Sequence, residues 1–160
     1  MKVVLVGYMA SGKSTIGKLL AKSLGIDFLD LDNEIASEFD LSISEIFKTK
    51  GELFFRKKEM QVLNKLLNST QSFVLATGGG TPCYGNSMVD INNLSTNVFY
   101  LKHTISSLIE RISAEKEQRP LVANISDDDL PEFIGKHLFE RNVFYTTCLL
   151  YTSPSPRDRG

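Results

Sequence analysis

The chain has 160 residues, 42% of them hydrophobic, and its 18 basic and 19 acidic side chains leave a net charge of −1. That is the length of one domain, enough to bury roughly 68–70% of the surface its unfolded chain exposes. The balance of charge excludes the diffuse positive field that holds nucleic acid or an anionic membrane.

A strand signal at residues 3–6 runs directly into Gly7-Tyr8-Met9-Ala10-Ser11-Gly12-Lys13-Ser14-Thr15, and a helical pattern follows at 13–24 with Gly25 as its stop. Gly7, Gly12, Lys13 and Ser14 meet the spacing G-x-x-x-x-G-K-[ST] of a phosphate-binding loop. Glycines let the backbone curl its N–H groups around one anion at the positive end of the helix. Lys13 adds a mobile point charge for the outer phosphates, and Ser14 offers a hydroxyl to Mg²⁺, a cation that keeps most of its water. In this helix Ile16, Leu19, Leu20 and Leu24 are expected to face the sheet.

A second strand at 28–31 ends in Asp30 and Asp32, at the edge where open α/β sheets place ligands. Alternation along a strand puts both carboxylates on one side. There they serve either phosphoryl-transfer chemistry, one holding water on Mg²⁺ and one accepting a proton, or simply cap the helix that starts near Asn33. Ser42 with Glu45 three residues on forms a capping box for a short helix ending near Gly51. A longer helix over 52–68 follows, with Phe55, Met60, Leu63, Leu66 and Leu67 expected inside. It carries Arg56, whose fork fits a carboxylate; Glu59 and Glu52 are equally available as ordinary surface partners.

The third strand, 73–76, opens onto Thr77-Gly78-Gly79-Gly80-Thr81. Three glycines cost chain entropy unless the backbone must approach a ligand closely, although a tight turn alone would use one or two. A fourth strand at 98–101 precedes a helix marked by Ile105, Leu108, Ile109 and Ile112, and Pro131 sits in the first turn of a helix reaching Tyr145. Between these helices the polar stretch 115–129, with Arg119 and the run Asp127-Asp128-Asp129, reads as a mobile flap whose aspartates cap the next helix. Parallel strands alternating with helices predict a three-layer αβα P-loop fold, with a central parallel sheet, helices on both faces and a lid loop.

In this order, the phosphate loop, FLDLD, the GE-x-x-FR-x-x-E run from Gly51 to Glu59, ATGGG, Arg119-Pro120-Leu121 and Arg141 with Tyr145 closely resemble the shikimate kinase family, within the nucleoside monophosphate kinase-like P-loop group. The resemblance covers about residues 2–148, read as one kinase domain with a lid at about 113–129. It implies transfer of the γ-phosphoryl group of ATP to the 3-hydroxyl of shikimate, in aromatic amino acid biosynthesis, with Mg²⁺. Implied nucleotide contacts are Gly7, Ala10, Ser11, Gly12, Lys13, Ser14, Thr15 and Arg119. Implied shikimate contacts are Asp32, Arg56, Gly78, Gly79, Gly80 and Arg141. Ser14 and Asp30 would attend the metal, while Lys13, Asp32 and Arg119 would carry catalysis. A monomer in the cytoplasm is the expectation, since no apolar run spans a membrane and the first strand leaves no room for a signal peptide.

The pattern departs from the family at the C-terminus, where residues 149–160 read as a tail outside the fold and a fifth strand and final helix are expected to be missing. A catalytically impaired nucleotide-binding domain therefore stays open, as does a kinase for another hydroxy acid such as gluconate. A GTPase-like switch is disfavoured because Asn64-Lys65 is followed by Leu66-Leu67 and no aspartate. His103 and His137 stand alone in sequence, and Cys83 and Cys148 have no metal-ligand spacing, so free thiols and isolated histidines are expected.

Overall fold

A computed structural model of the chain describes residues 1–119, 121–147 and 150–151. Pro120 of the expected lid element, Cys148 and the segment 152–160 lie outside the described residues. Strands β1 (Lys2–Val6), β2 (Asp27–Asp30), β3 (Phe73–Ala76), β4 (Asn97–Tyr100) and β5 (Leu150–Tyr151) form one sheet in the order β2-β3-β1-β4-β5. Every pairing is parallel: Val4 sits opposite Leu75 on one side and Val98 on the other. Strands buried on both faces need unbroken apolar runs, and β1 and β3 supply VVLV and FVLA.

Alternation along β1 divides the core into two. Val4 and Val6 join a large cluster with Phe73, Leu75, Val98 and Tyr100. Against it pack α2 (Leu31–Phe39), α3 (Ile43–Lys50), α4 (Glu52–Leu67), α5 (Ser87–Leu94), α6 (Ile105–Glu115) and α7 (Leu130–Tyr145). Val3 and Leu5 face the other way and meet Ala21 of α1 (Lys13–Leu24) in a smaller cluster with Val74 and Leu101.

The helix α1 corrects the sequence expectation about its own face. Gly17 and Ala21 are buried, whereas Ile16, Leu19 and Leu24 are exposed, Leu19 by 66%, and Leu20 is half-buried. A Cβ on Gly17 would stand 2.5 Å from the Phe28 ring. The helix therefore lies closer to the sheet than leucines allow, and its small residues mark the contact. Once Lys13 points inward, Gly17 and Ala21 follow at helical spacing on the same face.

Ser42 and Glu45 form the expected reciprocal capping box, with Glu45 N–H donating to Ser42 Oγ and Ser42 N–H to Glu45 Oε1. In α4 Phe55, Leu63 and Leu67 are fully buried, while Met60 and Leu66 are half-buried. The fifth strand, expected to be missing, is present as two residues, with Leu150 opposite Phe99 and Tyr151 opposite Tyr100. Residues 150–151 of the expected tail thus belong to the sheet; the expected loss of a final helix concerns residues outside those described. Among the described residues no helix is long and apolar enough to cross a membrane.

Candidate active site

The C-terminal ends of β1, β2 and β3 open onto a cavity of about 740 Å³, lined by residues 9–15, Asp30, Asp32, Thr77, Gly78, Gly79, Glu110, Arg111, Ala114, Glu115 and Arg119. At its floor the loop after β1 turns through Ala10 at φ 61° and Gly12 at φ 87°. Ala10 carries its Cβ in the left-handed region, a strain of roughly 1–2 kcal/mol held by the surrounding contacts. Lys13 is buried, and its ammonium donates to Gly7 O at 2.6 Å, Tyr8 O at 2.9 Å and Ser11 Oγ at 3.3 Å. Burial pushes its pKa down to about 7; the Asp32 carboxylate opposes this and the Arg119 and Arg141 cations reinforce it.

His103, expected to be an isolated histidine, is buried with Nε2 at 2.7 Å from Ser11 O. A carbonyl only accepts, so that ring nitrogen carries the proton and braces the loop from the end of β4. His137 is not isolated either, since its Nδ1 lies 2.8 Å from the Tyr8 hydroxyl.

Asp30 and Asp32 both line the cavity, but not by strand alternation. The strand stops at Asp30, which is the N-cap of α2 and accepts from Asn33 N–H at 3.1 Å; Asp32 sits in the first turn of the helix. The capping reading of Asp30 holds, and its other oxygen accepts from Ser14 Oγ at 3.2 Å, which brings the two residues together at the loop. Burial, with the Asp30 and Glu59 carboxylates nearby, pushes Asp32 up to about 6 against the pull of Lys13 and Arg56. A carboxylate tuned upward is a better proton acceptor near neutrality than an ordinary one.

Beside the cavity two guanidinium groups converge on the triple glycine. A Cβ on Gly79 would meet Arg141 Nη1 at 3.1 Å, and one on Gly80 would meet Arg56 Nη2 at 2.7 Å and Arg141 Nη2 at 3.2 Å. Close approach of side chains explains Gly79 and Gly80; Gly78 abuts the Asp32 carboxylate in the same way. Arg56 stacks on Tyr84 at 4.1 Å and donates through Nη1 to Glu59 at 3.0 Å. Glu59 is no surface partner: it is 1% exposed and also accepts from Thr81 Oγ1. Arg56 Nε is buried without a hydrogen bond, its ion-pair partner Glu52 standing off at 3.9 Å, so it is a donor suited to an incoming anion.

Gly80 has ordinary right-handed dihedrals, so Gly80→Ala tests space alone. We expect a folded protein with an unchanged melting temperature, an acid-substrate KM raised about tenfold and an unaltered KM for ATP, since displaced groups cost rate without unfolding. Steady-state kinetics with both substrates varied checks this.

The segment expected to be a lid, about 113–129, begins inside α6, which runs to Glu115 and is followed by a 3₁₀ turn at Lys116–Gln118. It is anchored, with Val122 and Leu130 fully buried. Arg119 lines the cavity and donates to Glu115 at 2.7 Å. The aspartates do not cap α7 through their side chains. Asp129 accepts from Ser126 Oγ, Lys116 reaches Asp127, and the N-terminal amide of Leu130 is taken by the Ser126 carbonyl.

Sequence reasoning missed Arg111 and Glu110, which line the cavity from α6. Arg111 Nη1 would lie 3.7 Å from a Gly12 Cβ, and its Nε is buried without a partner. Its signal is weak: one arginine next to the apolar stripe of an amphipathic helix.

A sequence model of the shikimate kinase family matches residues 9–157. The chain belongs to that family. It is 46% identical to a shikimate kinase of Flavobacterium psychrophilum over 98% of this chain and 93% of that protein. A Flavobacterium johnsoniae shikimate kinase is 44% identical over 90% of this chain and 84% of its own length. Among solved structures, shikimate kinase from Bacteroides thetaiotaomicron superposes with a TM-score of 0.89 at 33% identity, covering 96% of this chain and 86% of that one. Shikimate kinase from Acinetobacter baumannii in complex with shikimate gives 0.84 at 32% identity, over 96% of this chain and 83% of that one. Within the shikimate kinase family the fold expectation is met, and Lys13, Ser14, Asp30, Asp32, Gly78, Gly79 and Arg119 line one cavity. Arg56, Gly80 and Arg141 gather at the glycine turn beside it.

Proposed function

We propose that the chain transfers the γ-phosphoryl group of ATP to the 3-hydroxyl of shikimate in the cytoplasm, as a monomer. The observation that carries this reading is the pairing of a phosphate loop with two guanidinium forks, Arg56 and Arg141, held at one glycine turn. Two forks suit a carboxylate, and a neighbouring Asp32 suits the hydroxyls of the same small acid.

The residues divide the work. Loop amides and Lys13 receive the phosphates; Arg56 and Arg141 hold the acid; Asp32 accepts a hydroxyl hydrogen bond and takes the proton as the phosphoryl group arrives. Arg119, swung from Glu115 onto the transferring group, offsets its charge and keeps water out. The donors at Ser14 and Asp30 are all oxygen and few in number, which fits Mg²⁺, a hard cation that keeps its waters and binds phosphates. Bound there it would neutralise charge between the phosphates of ATP.

The deciding assay couples ADP release to a readout, with ATP, Mg²⁺ and either shikimate, gluconate, AMP or no acceptor. Turnover with shikimate alone supports the reading; turnover with gluconate or AMP instead, or with no acceptor, sinks it. Asp32 gives a further expectation. With its pKa near 6 in the free protein, kcat/KM for shikimate should fall tenfold per unit below that pH as the base becomes protonated. Asp32→Asn should lower kcat by about 10²-fold and flatten that limb. An acid limb of unchanged position in Asp32→Asn assigns the titration elsewhere.

A further inference from the structure

Tyr8 and His137 are used by neither the phosphate loop pattern nor the acid clamp, yet they join the two. Tyr8 sits inside the loop, 1% exposed, and its carbonyl accepts from Lys13. Its hydroxyl lies 2.8 Å from His137 Nδ1, the rings meet edge to face at 5.3 Å, and Phe133 closes on His137 at 5.4 Å. His137 is one turn before Arg141 on α7, and the Arg141 guanidinium lies 6.0 Å from the centre of the Tyr8 ring. One turn further, the Tyr145 hydroxyl donates to Gly79 O. Positions 137, 141 and 145 recur at helical spacing on one face.

The charge state of both partners follows from their surroundings. Burial, with the Arg141 cation beside it, pushes His137 down to about 4, Glu140 opposing, so the ring is neutral at physiological pH. Burial pushes the Tyr8 hydroxyl up to about 12, so it keeps its proton. Both groups are therefore neutral, and a single hydrogen bond joins the Tyr8 hydroxyl to His137 Nδ1, its donor set by the imidazole tautomer.

We propose that Tyr8 and His137 are positioning residues that set the reach of Arg141 toward the carboxylate of the acid substrate by tying α7 to the phosphate loop. The proposal rests on the reading of Arg141 as part of the acid clamp. Arg141 needs such a tie because a long side chain holds a fixed geometry only where its helix is fixed, and the segment that precedes α7 reaches the cavity through Arg119 and packs into the core through Val122. Tyr145 fixes the far end of the face on the glycine turn, and the Tyr8–His137 bond fixes the near end.

The test compares Tyr8→Phe, His137→Leu, their double variant, His137→Asn and Arg141→Ala in full steady-state kinetics, with melting temperatures alongside. Tyr8→Phe deletes one oxygen and keeps the ring, so folding is not at issue. We expect the shikimate KM to rise about three- to tenfold, the worth of one net hydrogen bond, with kcat and the KM for ATP within about twofold. The double variant should cost no more than either single one, the mark of a shared interaction. His137→Asn, which keeps a polar atom near the Nδ1 position, should recover most of the loss. A merely structural role would instead lower the melting temperature and the active fraction at constant KM. If Arg141→Ala raises the shikimate KM and Tyr8→Phe does not, the positioning proposal is overturned alone. If Arg141→Ala leaves that KM unchanged, the clamp reading fails and takes the proposal with it.

Discussion

Lys13→Met should lower kcat by about 10²–10³-fold, the cost of removing a preorganised charge from a developing anion, while the shikimate KM and the fold remain. Methionine matches the length of the stem and carries no charge. Three hydrogen bonds to Gly7 O, Tyr8 O and Ser11 Oγ disappear, and so does the desolvation cost of a buried ammonium. The two effects oppose each other, so the melting temperature should move little. Single-turnover kinetics beside thermal melts separates the outcomes, and a folded variant with normal kcat ends the assignment.

The same lysine predicts a proton count. With its pKa near 7 in the free protein, Lys13 is mostly neutral at pH 8. Phosphates placed beside it favour the charged form and raise the pKa. Nucleotide binding at pH 8 should therefore take up protons through Lys13, a contribution that should vanish at pH 6 where Lys13 is already charged. Calorimetry in two buffers of different ionisation enthalpy reads the difference directly.

Arg56→Ala should lower kcat/KM for shikimate by about 10²-fold or more and also destabilise the protein. The first effect is loss of a charge-assisted fork on the acid. The second arises because Glu59, 1% exposed, keeps only the Thr81 hydroxyl after the arginine is gone. Losing a hydrogen bond to a buried charge costs about 1.5–3 kcal/mol. Arg56→Lys should recover part of the stability and little of the activity, since an ammonium cannot span two carboxylate oxygens. Chemical denaturation and kinetics on both variants check this; equal activity of Arg56→Ala and the parent would remove Arg56 from the site.

The phosphate loop, the triple glycine and the Ser42 capping box were legible because each is a local rule written in adjacent residues. The face of α1 was not. Apolar periodicity favoured Ile16, Leu19 and Leu24, but the spacing between helix and sheet is set by the Phe28 ring pressing on Gly17, a contact between distant residues. Glu59 was misjudged for the same reason: a glutamate three residues from an arginine looks solvated until α4 packs it under Thr81. Helix α5 gave little signal, with Met88 and Ile91 its only buried large side chains and no side-chain cap at its start. The roles of His103 and His137 depend on partners in the phosphate loop far away in sequence, so nothing near either histidine announces them.

The central place of β1 has a consequence for how the protein is made. The strand that carries the phosphate loop leaves the ribosome before both of its neighbours, Phe73–Ala76 and Asn97–Tyr100. Until both have been synthesised, this hydrophobic strand waits with both edges open. Such non-local pairing folds slowly and exposes sticky strand to other chains. For a nascent chain, then, the ability to grip a nucleotide should appear late and abruptly, once the fourth strand has emerged and closed the far side of the first.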